Sequence, residues 1–510
     1  MKKGKKLLSI MLVVMMFAML ASGCGQKKEV INNPTPEPKV EDVEKEEVEA
    51  TVAPLEPVEL SMYFIGTNEM PDDQLVAEKL SQLIEERLNA TVKLTFLDWG
   101  SYDSKLNLLL ASGESIDLLF QANWMGTSYS SNVSKGFLYD ITDLIDTYAK
   151  EAKAILPPFL LDGVSVDGRI YGMPTYKEVG SSQGIAIVKS IVDELGIDVS
   201  SIKTPADVDA LLAQIKAAKP ELTTFIGNPI IDGKQQSNFA GAKMPLSVDY
   251  DSTIVEISSE SQAMRDSANK AKEYFELGYY PADYVTNFDP KAIFKAGNGA
   301  VMALGLKPGK DKELSLEYGV EMVQVELTDV YIDATEGAGS IMSIGANSNN
   351  PERALMLMNL LYTDQELINT LAFGVEGVHW VKTGEYSIDY AEGISADNIG
   401  YSHGISWEFG NQYLNYVWPN EAQDKWEQFN KFAENAISPK LMGFTFNGES
   451  VSAQMAAVAN VEAQYGDALM KNPDVVIEDT LIEYNKALKE AGIEVIRDEM
   501  QKQIDDFLAK

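Results

Sequence analysis

Histidine occurs twice in 510 residues, at His379 and His403, and cysteine once, at Cys24. A single thiol excludes an internal disulfide, so packing has to stabilise the fold. No His-Glu-x-x-His or Cys-x-x-Cys spacing is present, so no zinc site is expected. The chain lacks a Gly-x-x-x-x-Gly-Lys-Ser/Thr loop, which sets aside ATP hydrolysis by that device. It also lacks a Gly-x-Ser-x-Gly elbow, the usual setting of a hydrolase serine. Neither catalytic residues nor a cofactor are expected. A glycosidase needs only two carboxylates about 5–9.5 Å apart, and 77 acidic residues keep that alternative open. Basic residues are scarce, 42 against those 77, for a formal charge of −35. Such a charge repels nucleic acid and anionic lipid surfaces, so neither is an expected partner. Long apolar runs are missing too, with one exception.

That exception is Leu7 to Leu20, apolar but for Ser9 and preceded by Lys2, Lys3, Lys5 and Lys6. Fourteen helical residues span about 21 Å, short of the ~30 Å hydrocarbon core, which suits a signal-peptide core better than a membrane span. Leu20, Ala21, Ser22, Gly23 and Cys24 follow. This stretch resembles the lipobox of bacterial lipoproteins, with Ala21 standing where leucine is usual. The resemblance implies removal of residues 1–23 and a diacylglycerol on the Cys24 sulfur. The chain would then be lipid-anchored at the outer face of a membrane, that of a Gram-positive bacterium. Losing the four lysines of residues 1–23 moves the charge from −35 to −39. Residues 26–59 hold five prolines, ten acids and no aromatic residue. Such a stretch cannot bury enough apolar surface to offset its ordering entropy. Residues 24–57 are therefore expected to be a disordered stalk reaching on the order of 30 Å.

Folded sequence begins near Val58. The run from Val58 to Phe64 has strand character, Leu75, Leu80, Leu83, Ile84 and Leu88 have helical spacing, and Val92 to Leu97 is a second strand. A helix over 102–110 and a strand over 116–120 complete a strand–helix–strand–helix–strand order, which predicts parallel pairing in an α/β lobe. Further helical patterns cover 205–217, 260–277, 351–372, 422–435, 451–470 and 478–490, with short strands at 184–188 and 300–304. About 450 folded residues exceed one core, so two lobes are expected.

Tyr102, Lys105 and Leu106, then Ala111 to Glu114, then Asp117, Leu118 and Phe120 follow the pattern Y-x-x-K-L, A-S-G-E-x-x-D-L-x-F. Gly136 to Ile141, Asp167 to Pro174 and Asn349 to Ala354 continue it, as do Phe409 to Gln412 and Gly443 to Phe446. In this order the segments resemble the extracellular solute-binding proteins of ABC transporters, of the maltose-binding type, and the LipO-like lipoproteins of Firmicutes. The resemblance covers nearly all of residues 58–510. It implies an α/β, two-lobe periplasmic-binding-protein fold (type II-like) with a ligand cleft between lobes and hinge crossovers. Lobe 1 is expected to span 58–172 and 336–400, and lobe 2 to span 173–335 and 401–510. It further implies a monomer that captures a carbohydrate, an oligosaccharide in particular, by hinge closure and hands it to ABC permease subunits in the membrane. A peptide or amino-acid receptor of the same fold, or a glycan-active surface lipoprotein outside transport, remain the alternatives.

Ligands of open α/β sheets sit beyond the carboxyl ends of strands. That rule and the resemblance select Asn68 and Glu69 after the first strand, Gln121, Asn123 and Trp124 after the third, and Tyr176 and Glu178 after the first crossover. Trp124 is the expected stacking platform. Trp380 and Trp407, in a long loop over 374–409, and Lys307, after a second-lobe strand, complete the candidate contacts. Trp99 is expected to pack between strand and helix, and Trp418 and Trp426 to be core. Asp249 to Thr253 begins like a calcium loop, but Ile254 occupies the position that demands glycine, so it is read as an acidic turn.

Overall fold

A computed structural model describes residues 55–509, apart from 127, 242–243, 282–283 and 285–288. Cys24, the signal segment and nearly all of the 24–57 stalk lie outside the described residues. Strand β1, Val58–Gly66, is followed by helix α1, Asp73–Leu88, strand β2, Ala90–Asp98, helix α2, Tyr102–Ser112, and strand β3, Leu118–Gln121. β1 lies between β2 and β3 and is parallel to both. Leu60, Met62 and Phe64, on one face of β1, are buried because every second side chain of a strand points the same way. α1 turns Val76, Leu80 and Ile84 onto the sheet at helical spacing. It ends at Asn89, whose φ of 43° and N–H bond to the Glu85 carbonyl stop the helix. Strands Ile341–Ser343 and Gly172–Pro174 extend this sheet, antiparallel.

A second sheet places Ser182–Val188 between Met322–Glu326 and Gly299–Leu306, with Thr223–Ile226 at its edge. Ile185, Ile187, Phe225 and Val301 centre a separate core around it. Two lobes are thus present, but their limits differ from the expected ones. Gly172–Pro174 belongs to the first sheet, so the crossover begins after 174 rather than at 173. Tyr401, Ile405 and Phe409 also lie in the first core, with Phe409 edge-on to Phe64 at 5.5 Å. The segment 441–504 does not join the second core. It builds a third, where helices Ser452–Lys471, Ile477–Ala491 and Ile493–Leu508 cover the short strands at 236–257. Helical periodicity shows which face is apolar, not which partner it meets, and that is why these limits were misplaced.

Three stretches pass between the lobes, held side by side by backbone bonds. Thr175 donates to Ser340, Tyr176 exchanges bonds with Gly410 and Gln412, and Ser181 pairs with Tyr331. Ile437 in turn bonds Val330 and Ile332.

If 401–409 is a structural part of lobe 1, Phe409→Ala should destabilise the protein by about 3–5 kcal/mol. Urea unfolding followed by tryptophan fluorescence measures this, and a loss below about 1 kcal/mol would move the segment out of the core.

Candidate functional site

Register pairs Gly66 of β1 with Asp98 of β2, so their carboxyl ends are level. The loops leaving β1, β2 and β3 therefore converge at one edge of the lobe. After β1, Asn68 takes a φ of 69°, a left-handed conformation that asparagine tolerates, and presents itself and Glu69 to solvent. After β2, Asp98 accepts the amides of Gly100 and Ser101 at 3.1 Å and the Ser101 hydroxyl. Those bonds, the Ser101 hydroxyl first, hold its carboxyl below the usual range and fix the turn that displays Trp99. After β3, the Trp124 indole N–H donates to the Gly339 carbonyl at 2.7 Å, in the second crossover. Trp407 completes the group from 401–409, and its carbonyl accepts the Ser340 hydroxyl at 2.7 Å.

These indoles form one layer. Trp99 lies 6.0 Å from Trp407 with planes 19° apart, and 6.1 Å from Trp124 with planes 23° apart. Phe120 supports Trp407 edge-on at 5.2 Å. Trp99 is 61% exposed and Trp124 53%, so flat apolar surface faces solvent from a supported position. Isolated exposed apolar residues need no explanation, but a stacked tryptophan group does. Trp99 is thus not the strand–helix packing residue that was expected. The strand-end rule that selected Trp124 applied equally to Trp99, yet a tryptophan ahead of a helix was taken for core.

The remaining candidates divide. Asn123 sits beside the platform with its carbonyl oxygen accepting the Ser130 amide at 3.2 Å. Gln121 is fully buried: its amide bonds the Phe120 carbonyl and Asn132, so it braces β3 and cannot meet a ligand. Trp380 is also buried, bonding the Gly374 carbonyl at 2.9 Å and packing on Tyr416, so it pins the long loop. Tyr176 packs on Tyr413 at 4.7 Å in the crossovers. Glu178 and Lys307 pair with each other at 2.9 Å, and Lys307 also holds Glu313 at 3.0 Å. Burial alone would raise the Glu178 pKa, but Lys177 and Lys307 overrule it and hold the carboxyl at about 2. Lys177 reaches Glu336 of the second crossover at 3.7 Å. Glu178 and Lys307 are thus committed to a hinge ion network.

A cavity of about 670 Å³ opens next to the platform. One wall is Tyr401 to Ser406 of lobe 1, ending one residue before Trp407, and the opposite wall is Pro308 to Leu316 of lobe 2. Tyr390 and Trp418 close one side, their rings 4.8 Å apart, so Trp418 is half-buried cavity wall rather than core. Trp426 packs on Tyr413 and Phe429. The acidic turn at 249–253 has a lysine against it: Lys234 approaches Asp249 at 3.1 Å and Asp251 at 3.3 Å.

Platform, cavity and adjoined crossovers form the candidate site, and comparison with known proteins gives the family. Residues 79–374 match the bacterial extracellular solute-binding proteins. The chain belongs to that family. Residues 440–509, most of the third core, match a domain of unknown function, DUF3502. A carbohydrate ABC transporter substrate-binding protein of Streptococcus pneumoniae serotype 4 is 28% identical over 88% of this chain and 91% of its own length. The crystal structure of the N-glycan transport solute binding protein NgtS of the same species superposes with a TM-score of 0.79, at 26% identity, over 89% of this chain and all of that one. NgtS in complex with Man5GlcNAc gives a TM-score of 0.68 at 27% identity, over 89% of this chain and 99% of that one. These relatives are transport proteins, not enzymes.

In this solute-binding protein both histidines join loops that carry candidate residues. Val375 donates its amide to His379 Nδ1 at 2.8 Å, leaving Nε2–H to bond Asp72 at 3.2 Å. His403 is arranged alike, with Thr67 on Nδ1 at 3.2 Å and Asp73 on Nε2 at 2.7 Å, its ring stacked 3.6 Å from Phe96. The loop that carries Asn68 and Glu69 is thereby tied to the 374–409 loop that carries Trp407. At Gly400 an added Cβ would displace the Asp72 carboxylate that His379 holds.

Burial lowers the His403 pKa, against the pull of Asp73. The unfolded chain therefore takes up its proton first as pH falls below about 6.5, and stability drops until the folded pKa is passed. His403→Asn should flatten that part of the stability–pH profile measured by urea unfolding between neutral and mildly acidic pH. An unchanged slope would assign it to other groups.

Proposed function

We propose that this protein captures an oligosaccharide between its lobes and delivers it unaltered to an ABC permease, tethered to the outer membrane face through Cys24. The observation that carries the reading is the layer of Trp99, Trp407 and Trp124 at the level strand ends. Sugar rings expose C–H faces that stack on indoles and hydroxyls that bond nearby polar groups. Asn68, Glu69 and Asn123 border the platform and supply such groups. NgtS, with Man5GlcNAc in its structure, supports an N-glycan-like ligand. Ligand that touches both lobes binds the closed form more tightly, and that difference shifts the equilibrium toward closure. The adjoined crossovers at 175–181, 331–340 and 410–412 give the closing motion its hinge.

Calorimetry on residues 58–510 with a glycan panel tests the ligand class. Trp124→Ala and Trp99→Ala should each weaken binding by about 1–3 kcal/mol. Unchanged affinity would remove the residue from the site, and thermal stabilisation by peptides but not glycans would establish the peptide alternative. For the anchor, Cys24→Ser should shift the protein from the membrane fraction to the medium, and retention at the membrane would refute lipidation.

A further inference from the structure

We propose that the cavity beside the tryptophan platform is a second sugar subsite, one that admits an uncharged glycan arm and rejects an acidic one. The inference rests on the sugar-binding reading above and adds to it a subsite and a selectivity. At about 670 Å³ the cavity falls within the ~300–1,000 Å³ typical of sites that bury a multi-ring ligand. Ser406 of its wall directly precedes Trp407 in the chain, so cavity and platform share one segment, and the proposal is that one ligand reaches both. Its own aromatic wall is Tyr390 against Trp418, and Asn420 and Gln428 add neutral hydrogen-bonding groups. Such a lining matches the faces and hydroxyls of a sugar.

The charges decide which sugar. Among the described residues, the lysines at the cavity already face carboxylates. Lys425 meets Glu421 at 2.5 Å, Lys312 meets Asp311 at 3.7 Å, and Lys307 and Lys310 share Glu313 at 3.0 Å. Asp389 adds a further acid to the lining, bonded to the Tyr390 amide at 2.7 Å. An incoming carboxylate would meet Asp389, Glu421 and Glu313, while each lysine at the cavity among the described residues already has a carboxylate partner. A like-charge meeting in a partly closed cleft discriminates more strongly than an added attraction.

Three probes separate the possibilities: a neutral disaccharide, a branched neutral N-glycan core, and the same branched core capped with sialic acid. For the native protein, the capped glycan should bind at least about tenfold more weakly than the uncapped one, with the gap narrowing at high salt. Glu421→Gln, which keeps an oxygen for the Trp418 amide and frees Lys425, should recover about fivefold or more for the capped glycan. Tyr390→Ala should weaken the branched core about tenfold while sparing the disaccharide held at the platform. Equal affinity for capped and uncapped glycans would overturn the selectivity. Equal loss for disaccharide and branched core would overturn the second subsite. Silence toward all three glycans would instead sink the sugar reading itself, and this subsite with it.

Discussion

Parallel pairing of β1 with β2 and β3 is the constraint on which the binding face depends. It brings three carboxyl ends to one edge, with Gly66 level with Asp98. Each chain segment must then turn there toward a helix. Turns at such an edge cannot be buried by the sheet itself, so their side chains lie open beyond the strand ends. The cleft thus follows from strand direction, while its chemistry follows from what the turns carry: Asn68, Glu69, Trp99 and Trp124. Antiparallel addition of Ile341–Ser343 beside β3 brings the second crossover alongside, where the Gly339 carbonyl accepts the Trp124 indole N–H and the Ser340 hydroxyl donates to the Trp407 main-chain carbonyl. Hinge and platform are consequently one hydrogen-bonded unit.

Local pattern made much of this legible. The alternation of Leu60, Met62 and Phe64 and the spacing of Leu80, Ile84 and Leu88 mark the first β–α unit, and strand ends select Asn68, Glu69 and Trp124 as candidates. Pairings distant in sequence were not legible. Nothing near Tyr401 or Phe409 says that they pack on Phe96 and Phe64, over 300 residues earlier, so 401–409 was assigned to the wrong lobe. Gln121 failed for a related reason: a polar residue at a strand end faces either the cleft or the interior, and Asn132, eleven residues on, turned it inward. Glu178 and Lys307 are expected as ligand contacts, but each is the other's partner at 2.9 Å. The helix over 351–372 breaks at Asp364, whose side chain caps the following helix through the Leu367 amide at 2.9 Å.

Buried acids are accommodated in different ways in a chain of formal charge −35. Glu178 is ionised beside Lys177 and Lys307, whereas Glu336, its burial only partly offset by Lys177, has its pKa raised. Unpaired burial of charge is costly, so these pairs are retained where the fold needs polar groups in a confined space.

The segment 401–409 shows why stability and binding cannot be tuned separately here. One side closes the first core with Tyr401, Ile405 and Phe409, and the other side lines the cavity and presents Trp407. Between Trp407 and Phe409 lies Glu408, 1% exposed, accepting the Ile65 amide at 3.1 Å with one oxygen. Burial pushes its carboxyl well above the usual range, which favours the neutral form in an interior that offers it no cation among the described residues. A neutral acid there joins β1 to the segment that carries Trp407 without the desolvation cost of a carboxylate.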